Sequence, residues 1–406
     1  MLVERTASPG ALAHSSSFAR GLWRIAAADV SGGNRVRLLH DGPETFDAMV
    51  ALIDGATTSV VLESYILRSD EVGERIATAL LDARARGCSV RLLSDWIGAL
   101  GIGRRFVARL RDAGIDVRFF NTPGFRRWLG LVPRDHRKLL VVDERAGITG
   151  GVGIGREWVV GSRRPRHGRA GKPWRDTAIE IQGPAAHDMQ QAFENIWTRI
   201  DKHGRRMERR GSHKLLRREA KGTALAPESA PPALVGIVEG VPLKLRIGRA
   251  LQVQAISAER SIWIASAYFI PSWSDVEALT GAARDGVDVR LLVPARNDHP
   301  WVTLLTRRFY RRLLTNGVRI WEWKGEMMHA KTAVIDGRWV RVGSTDFNVL
   351  GVAINYELDA IIEDATLGAE AERMFLADLD RSREVHLKGK KRGGTSSATA
   401  ADRTHS

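Results

Sequence analysis

Two kinds of apolar pattern alternate along the first third of the chain. Four short segments rich in Val, Leu and Ile are typical of buried strands: 36–39, 59–66, 90–95 and 115–120. Three longer segments have apolar residues at helical spacing: 43–56, 72–86 and 104–112. Strands that alternate with helices predict an α/β sheet covered by helices on both faces.

The second half of the chain repeats this order. Residues 286–292 are similar to 87–93, and 317–321 are similar to 114–118. A repeat of this length indicates duplication. It predicts two lobes, each a mixed β-sheet flanked by helices, related by a pseudo-two-fold axis. The predicted division is an amino-terminal segment, a first lobe, a basic and then Pro/Ala-rich linker, a second lobe and a disordered basic tail: 1–34, 35–200, 201–234, 235–385 and 386–406.

One motif, His-x-Lys-x-x-x-x-Asp, occurs once in each half. Its residues are His136, Lys138 and Asp143 in the first copy and His329, Lys331 and Asp336 in the second. The residues after each Lys are apolar and largely β-branched, and an Asp-Gly pair follows the second copy, which predicts a strand entering a hairpin. A His and a Lys two positions apart share a strand face, whereas the Asp has the opposite parity. We expect each Asp to brace its hairpin.

Two His and two Lys residues supply the groups that phosphodiester transfer needs without a metal ion or cofactor. One imidazole can attack phosphorus to form a phosphohistidine, and the other can protonate the departing alcohol and deprotonate the incoming one. The Lys side chains can hold the non-bridging oxygens. A single copy would more often be a solvated strand edge. Two copies in matching contexts favour one active site in the cleft between the lobes.

On these motifs the sequence resembles the phospholipase D superfamily and, within it, the bacterial cardiolipin synthases that lack amino-terminal membrane spans. The resemblance runs from about Arg35 to about Arg383 and includes four further segments: 63–66, 174–176, 268–271 and 355–357. It implies a duplicated phospholipase D-type fold and a transferase that forms cardiolipin from phosphatidylglycerol or a related donor. We assign His136 as the nucleophile and His329 as the acid and base, although the near symmetry also allows the reverse.

The resemblance also implies supporting residues. In the family, acidic residues downstream of each motif hold the His rings, and the matching positions are Asp176 and Glu357. A small-residue turn follows each motif, and the second turn includes Ser344. Gly153 and Asp346 stand where the family has Asn. An ionised Asp346 would repel phosphate, so either it turns towards a Lys or Arg, or the substrate differs from the usual one.

Charge and hydropathy bear on the partner and the location. A net charge of +15 predicts an anionic partner, either a membrane surface or nucleic acid. No apolar run approaches the roughly 18 to 20 residues of a spanning helix. We therefore expect a peripheral enzyme on the cytoplasmic face of a bacterial membrane that acts on a phospholipid and an alcohol acceptor. A monomer would suffice, because each lobe completes the site of the other.

Three segments that carry basic residues could contact lipid headgroups: 18–25, 121–133 and 202–221. Each also has a plainer interpretation, respectively a terminus packed on the domain, a lobe-packing loop and a solvated helix face. Three other functions stay open. Hydrolysis by water would make the protein a phospholipase, and the same catalytic pairs could serve a nuclease, although nucleic acid is the less favoured partner. A non-catalytic binder would not need intact His and Lys pairs.

Overall fold

The computed structural model describes residues 17–122, 133–161, 171–204 and 233–387. Most of the connector 121–133, most of the predicted linker and the tail beyond 387 lie outside these ranges. The first strand begins at Val30, before the predicted start of the first lobe, and the second half begins at Ala233. The predicted division into five segments stays a prediction.

The first half has the predicted alternation of strands and helices. Its elements are α1 (Ser17–Ala26), β1 (Val30–His40), α2 (Asp41–Asp54), β2 (Ser59–Ser64), α3 (Glu71–Ala85), β3 (Ser89–Asp95), α4 (Arg104–Asp112), β4 (Asp116–Phe120), β5 (Lys138–Val142), β6 (Ala146–Gly150), β7 (Thr177–Gln182) and α5 (Ala185–Gly204). Asp70 begins α3 by accepting hydrogen bonds from the Val72 and Gly73 N–H groups.

The second half repeats this order. Its elements are β8 (Ala233–Gly240), α6 (Arg246–Ser257), β9 (Ser261–Ser266), α7 (Trp273–Arg284), β10 (Asp288–Pro294), α8 (Pro300–Thr315), β11 (Arg319–Trp323), β12 (Lys331–Ile335), β13 (Trp339–Gly343), α9 (Val349–Ile354), β14 (Glu357–Glu363), α10 (Ala365–Asp380) and β15 (Ser382–Glu384). The segments that the sequence pairs as repeats form β3 and β10 and begin β4 and β11.

Each half builds a mixed sheet, as predicted. The order is β1-β7-β6-β5-β2-β3-β4 in the first half and β15-β11-β10-β9-β12-β13-β14-β8 in the second. The strands β2, β3 and β4 are parallel, as are β9, β10 and β11, whereas the motif hairpins are antiparallel. The two sheets are also joined through β1. It pairs first with β8 and then, after an irregularity near Gly33 (φ +80°), with β7.

Helices cover the outer face of each sheet, which gives each half an outer apolar core. A third, central core lies between the two sheets. The central core contains apolar side chains of both halves, including Ile179 and Ile181 of β7 and Leu358 and Ile362 of β14. Leu22, within the segment 18–25, and Ala26, directly after it, are buried in the outer core of the second half, so this part of α1 packs on the domain. None of the helices in the described ranges is long and apolar enough to cross a membrane.

The Asp of each motif lies at the end of its hairpin strand, away from the Lys. Asp143 accepts hydrogen bonds from the backbone N–H groups of residues 57–59, and Asp336 from those of residues 259–261. The strand parity predicted this bracing role. The motif also groups Asp143 and Asp336 with the catalytic His and Lys residues, and that catalytic role stays a prediction beside the bracing contacts that the structure shows.

Candidate active site

The segments that precede the catalytic strands of one half pair with segments of the other half. The His136 N–H donates to the Tyr356 carbonyl at 2.9 Å, and the His329 N–H donates to the Arg175 carbonyl at 2.7 Å. Because Tyr356 and Arg175 each precede an acidic residue, these bridges carry a carboxylate from each half to the His of the other half.

Each catalytic ring is held at Nδ1 by that carboxylate. His136 Nδ1 lies 3.1 Å from both Oε atoms of Glu357, and His329 Nδ1 lies 2.7 Å from Asp176 Oδ2. A carboxylate at Nδ1 orients the ring and leaves Nε2 for substrate. The sequence predicts both carboxylates, but only the structure shows that they cross between the halves.

His329 lies in an enclosed, aromatic environment. The Trp158 and Trp174 rings lie 5.8 and 5.6 Å from its ring, and the Trp158 indole donates to Asp176 at 2.8 Å. Burial acts to raise the pKa of Asp176, but His329, Lys331 and the indole outweigh it and hold that pKa below its usual value. Asp176 is therefore a carboxylate at neutral pH, within hydrogen-bond distance of the His329 ring.

His136 is more open, and its environment is electrostatically different. Burial, with the charges of Lys138 and Lys331, lowers the pKa of His136 well below its ordinary value. Burial also raises the pKa of Glu357 to about 7, although Lys138 and a hydrogen bond from the Ser344 hydroxyl oppose this. His136 is therefore neutral at neutral pH. Ser344 reaches this ring only through its hydrogen bond to Glu357, and its supporting role stays a prediction.

Two buried ammonium groups supply positive charge to the cleft. The Nζ atoms of Lys138 and Lys331 each donate to the carbonyl of the His in the same motif, and lie 5.4 and 5.5 Å from the ring centres of Tyr65 and Tyr268. Burial lowers the pKa of Lys138 to about 8. Among the described residues, no group of three His, Cys, Asp or Glu side chains is placed to hold a metal ion.

Asp346 turns towards a Lys, which is the first of the two predicted outcomes. Its Oδ2 lies 3.3 Å from Lys331 Nζ, and its Oδ1 accepts from the Tyr268 N–H at 2.9 Å. At the matching place in the first half, a Cβ on Gly153 would lie 2.7 Å from the Trp158 ring. The indole fills the space that a side chain would take, so the two departures from Asn have different structural causes.

Comparison with known proteins identifies the family of this chain. Residues 49–197 and 253–379 match the family described as "Cardiolipin synthase, PLD-like domain". The chain belongs to this family of the phospholipase D superfamily. It is 31% identical over 380 residues to the cardiolipin synthase of Geobacillus sp. (strain WCH70), which covers 89% of this chain and 69% of that protein. It is also 31% identical to cardiolipin synthase A of Pseudomonas aeruginosa (strain LESB58), with 90% and 71% covered.

Solved structures confirm the predicted duplicated phospholipase D-type fold of this family member. The phosphatidylserine synthase of Haemophilus influenzae Rd KW20 has a TM-score of 0.66 at 14% identity, over 91% of this chain and 92% of that one. The polyphosphate kinase of Porphyromonas gingivalis has a TM-score of 0.56 at 15% identity, over 95% and 52%. The family assignment also confirms that the chain is a phosphatidyltransferase-class enzyme.

Several residues around the site have no role assigned by sequence reasoning. No pattern in the sequence indicates Trp158, and Tyr65 and Tyr268 stand only within segments that resemble the family.

Glu63 and Asp135, the residue before His136, are buried beside Arg137, and the Arg137 Nε lies 3.8 Å from Glu63 Oε1. Burial, with the charge of Asp135, raises the pKa of Glu63 well above its usual value. The sequence gives one indication of this cluster, because Glu63 is a charged residue inside the apolar segment 59–66.

Proposed function

We propose that this enzyme transfers a phosphatidyl group from one phosphatidylglycerol molecule to another, forming cardiolipin and glycerol. The reaction would pass through a phosphohistidine and need no metal ion. The observation that carries the proposal is the reciprocal arrangement of the site. Each His is oriented by a buried carboxylate of the other half, beside two buried ammonium groups.

In the first step, Nε2 of His136 attacks the phosphorus of the donor lipid. The bond from phosphorus to the glycerol oxygen breaks, and the Nε2 proton of His329 passes to that oxygen. The lowered pKa of His136 supports its role as the neutral nucleophile. The ionised Asp176 beside His329 supports the role of His329 as the acid.

In the second step, a hydroxyl of the acceptor phosphatidylglycerol gives its proton to His329 and attacks phosphorus. The bond from phosphorus to His136 breaks, and both His residues return to their starting states. Lys138 and Lys331 would hold the non-bridging oxygens throughout, because a buried ammonium stabilises charge on phosphate more strongly than one in water. Retention of the intermediate for an alcohol requires that the cleft limit access by water.

The remaining expectations belong to this proposal. The enzyme would act as a monomer on the cytoplasmic face of a bacterial membrane, bound to an anionic phospholipid surface. Use of water in place of the acceptor would give phosphatidic acid, which is the hydrolase alternative. A nuclease would use the same His and Lys pairs, and single-stranded DNA tests it directly.

The test is incubation of the purified protein with phosphatidylglycerol vesicles in the presence of a chelator, with the products identified by mass. We expect cardiolipin and glycerol in equal amounts, and neither from His136→Ala or His329→Ala. His187→Ala is the matched control, because this imidazole pairs with Glu144 in a different part of the molecule. Phosphatidic acid as the product would indicate a hydrolase, and chelator-sensitive activity would contradict metal independence.

A further inference from the structure

Exposed apolar side chains concentrate at the edge of the sheets where the His–Lys strands begin. The strands β3, β8 and β10 all end on the side of their sheets where the His–Lys strands begin. The chain after these strands, residues 96–102, 241–245 and 295–304, is called the rim loops below, and the last of these segments includes the first turn of α8. Of the ten exposed large apolar side chains in the described ranges, six lie in the rim loops: Ile97 (39%), Leu100 (53%), Leu243 (84%), Leu245 (38%), Trp301 (52%) and Leu304 (69%).

Direct contacts connect two rim loops to the catalytic rings. In the loop after β3, Gly98 packs against the Tyr65 backbone, and the Tyr65 ring lies 4.9 Å from that of His136. After β10, the ring of Trp301 lies 6.4 Å from that of His299, which lies 6.0 Å from the Tyr268 ring, and the Tyr268 ring lies 6.1 Å from that of His329. These loops therefore form the edge of the catalytic cleft.

The loop after β8 has an unfavourable backbone conformation. Gly240, where β8 ends, packs against Glu357, and the Leu243 N–H donates to the Ala353 carbonyl at 2.9 Å. Leu243 and Leu245 have φ values of +68° and +47°, in the left-handed region that branched side chains avoid. The strained backbone leaves the Leu243 side chain in solvent, where it packs on nothing in the described part of the chain. This points to a contact with something outside that part.

The charges of the rim complement an anionic surface. The rim loops themselves contain Lys244 and Arg296, and the residues that directly follow them add Arg104, Arg105, Arg246, Arg307 and Arg308, of which Arg307 pairs with Glu322. Their single acidic residue is Asp298, which accepts a hydrogen bond from the Tyr268 hydroxyl at 2.9 Å. Exposed apolar side chains beside Arg and Lys match a bilayer surface, where the apolar groups enter the acyl region and the charges meet phosphate.

We propose that the rim loops are the surface by which this protein docks on an anionic lipid bilayer, so that the cleft opens directly into the headgroup layer. This inference rests on the proposed function only for the expectation that the substrate lies in that layer. An acidic protein or a nucleic acid would satisfy the basic residues. A nucleic acid would leave the exposed aliphatic side chains of the rim loops without a partner. An acidic protein could cover them, and binding to protein-free vesicles separates that case from a bilayer.

The test measures binding of the full-length protein to sedimenting vesicles, one set of phosphatidylglycerol with phosphatidylcholine and one of phosphatidylcholine alone. We expect preference for the anionic vesicles, and a partition coefficient lower by roughly tenfold for each rim side chain removed in Leu304→Ser, Trp301→Ser and Leu243→Ser. Matched controls are Ile256→Ser, in the last turn of α6, and Trp273→Ser, whose ring contacts Arg312 in the last turn of α8. Both should bind as the wild type does.

Several results would overturn the inference: no vesicle binding by the wild type, rim variants that bind as it does, or equal losses in the controls. Thermal unfolding of every variant identifies one that has merely lost its fold, and Leu100→Ser then replaces it. Turnover is not the readout. Vesicle binding that depends on the rim, without turnover of phosphatidylglycerol, would contradict the proposed function and leave this inference standing.

Discussion

The two halves of the site have the same backbone plan and different electrostatics. The side chain of His136 is 14% exposed and faces Glu357, whose pKa is raised to about 7. The side chain of His329 is 4% exposed and faces Asp176, whose pKa is lowered. Lys331 has Asp346 as an ionic partner, whereas the matching position beside Lys138 is Gly153.

This difference supports the proposal that the two copies of the motif have different roles. Both imidazoles lie against a carboxylate, but the neighbours of His136 lower its pKa and leave its ring the more open, whereas His329 is enclosed beside an ionised Asp176. The same step that needs a nucleophile also needs an acid. Substitutions in the two halves can exchange these roles or measure how much the two halves differ.

The largest difference between the two His variants should appear with a donor lipid that has p-nitrophenol as its leaving group. This leaving group needs no protonation to depart. His329→Ala should release a burst of p-nitrophenol and accumulate a covalent phosphatidyl intermediate on His136, whereas His136→Ala should do neither. Steady-state turnover should fall by on the order of 10³-fold in both variants. Burst absorbance and intact mass measure this, with His187→Ala as the control. A burst from His136→Ala alone would assign the nucleophile to His329 and the acid to His136.

The second prediction compares the loss of kcat/KM when each carboxylate is replaced by its isosteric amide. Asp176→Asn should lower kcat/KM by on the order of 10³-fold, because an amide cannot share the charge of the His329 imidazolium. Glu357→Gln should cost only about 10- to 30-fold, because a carboxyl with a pKa of about 7 is already partly protonated at neutral pH. Equal losses would show that the two pairs are equivalent.

The third effect is a pH dependence set by Lys138. Its ammonium form binds phosphate, and burial lowers its pKa to about 8, so activity should be present below that pH and fall roughly tenfold per unit above it. The lowered pKa of His136 places the acidic limb below 6.5. Lys138→Arg should move the alkaline limb upward, because a guanidinium stays protonated. Profiles of kcat/KM measure this, and an unmoved limb would assign it to another group.

A smaller effect should follow from Asp346→Asn, which removes the ionic partner of the buried Lys331. The freed ammonium would bind phosphate more strongly, so the KM for the donor should fall by about 3- to 10-fold. Without lipid, the uncompensated charge should lower the free energy of unfolding by about 3 kcal/mol. Kinetics and denaturant unfolding test the two parts separately. A higher KM would mean that Asp346 positions the substrate.

The smallest effects belong to the Asp residues that end the motifs. Asp143→Ala should lower the free energy of unfolding by about 2 kcal/mol and Asp336→Ala by about 1 kcal/mol. The difference arises because Asp143 also accepts from the Thr57 and Thr58 hydroxyls. Against partial burial, these bonds lower the pKa of Asp143, so its contribution is present above pH 3.8 and lost in acid. A large loss of kcat with normal stability would support the catalytic role of these residues.

Much of the fold could be predicted from local patterns. The apolar segments predict β2, α3, β3, α4 and the hairpin strands, because burial on a sheet face or a helix face leaves a periodic record in the chain. The repeat predicts two halves, and the motif predicts both His–Lys pairs. Parity along the strand also separated Asp143 and Asp336 from those pairs, since side chains alternate across a strand.

What only the tertiary structure decided is how the halves complete each other. No local pattern shows that Asp176 serves His329 and Glu357 serves His136, because this exchange depends on backbone bridges between segments far apart in the chain. The same holds for the aromatic rings around His329, the pairing of Asp346 with Lys331 and the collection of the rim loops around one cleft. The sequence by itself determined which chemical groups are present, whereas their pKa values and partners depend on burial and distance, which exist only in the folded chain.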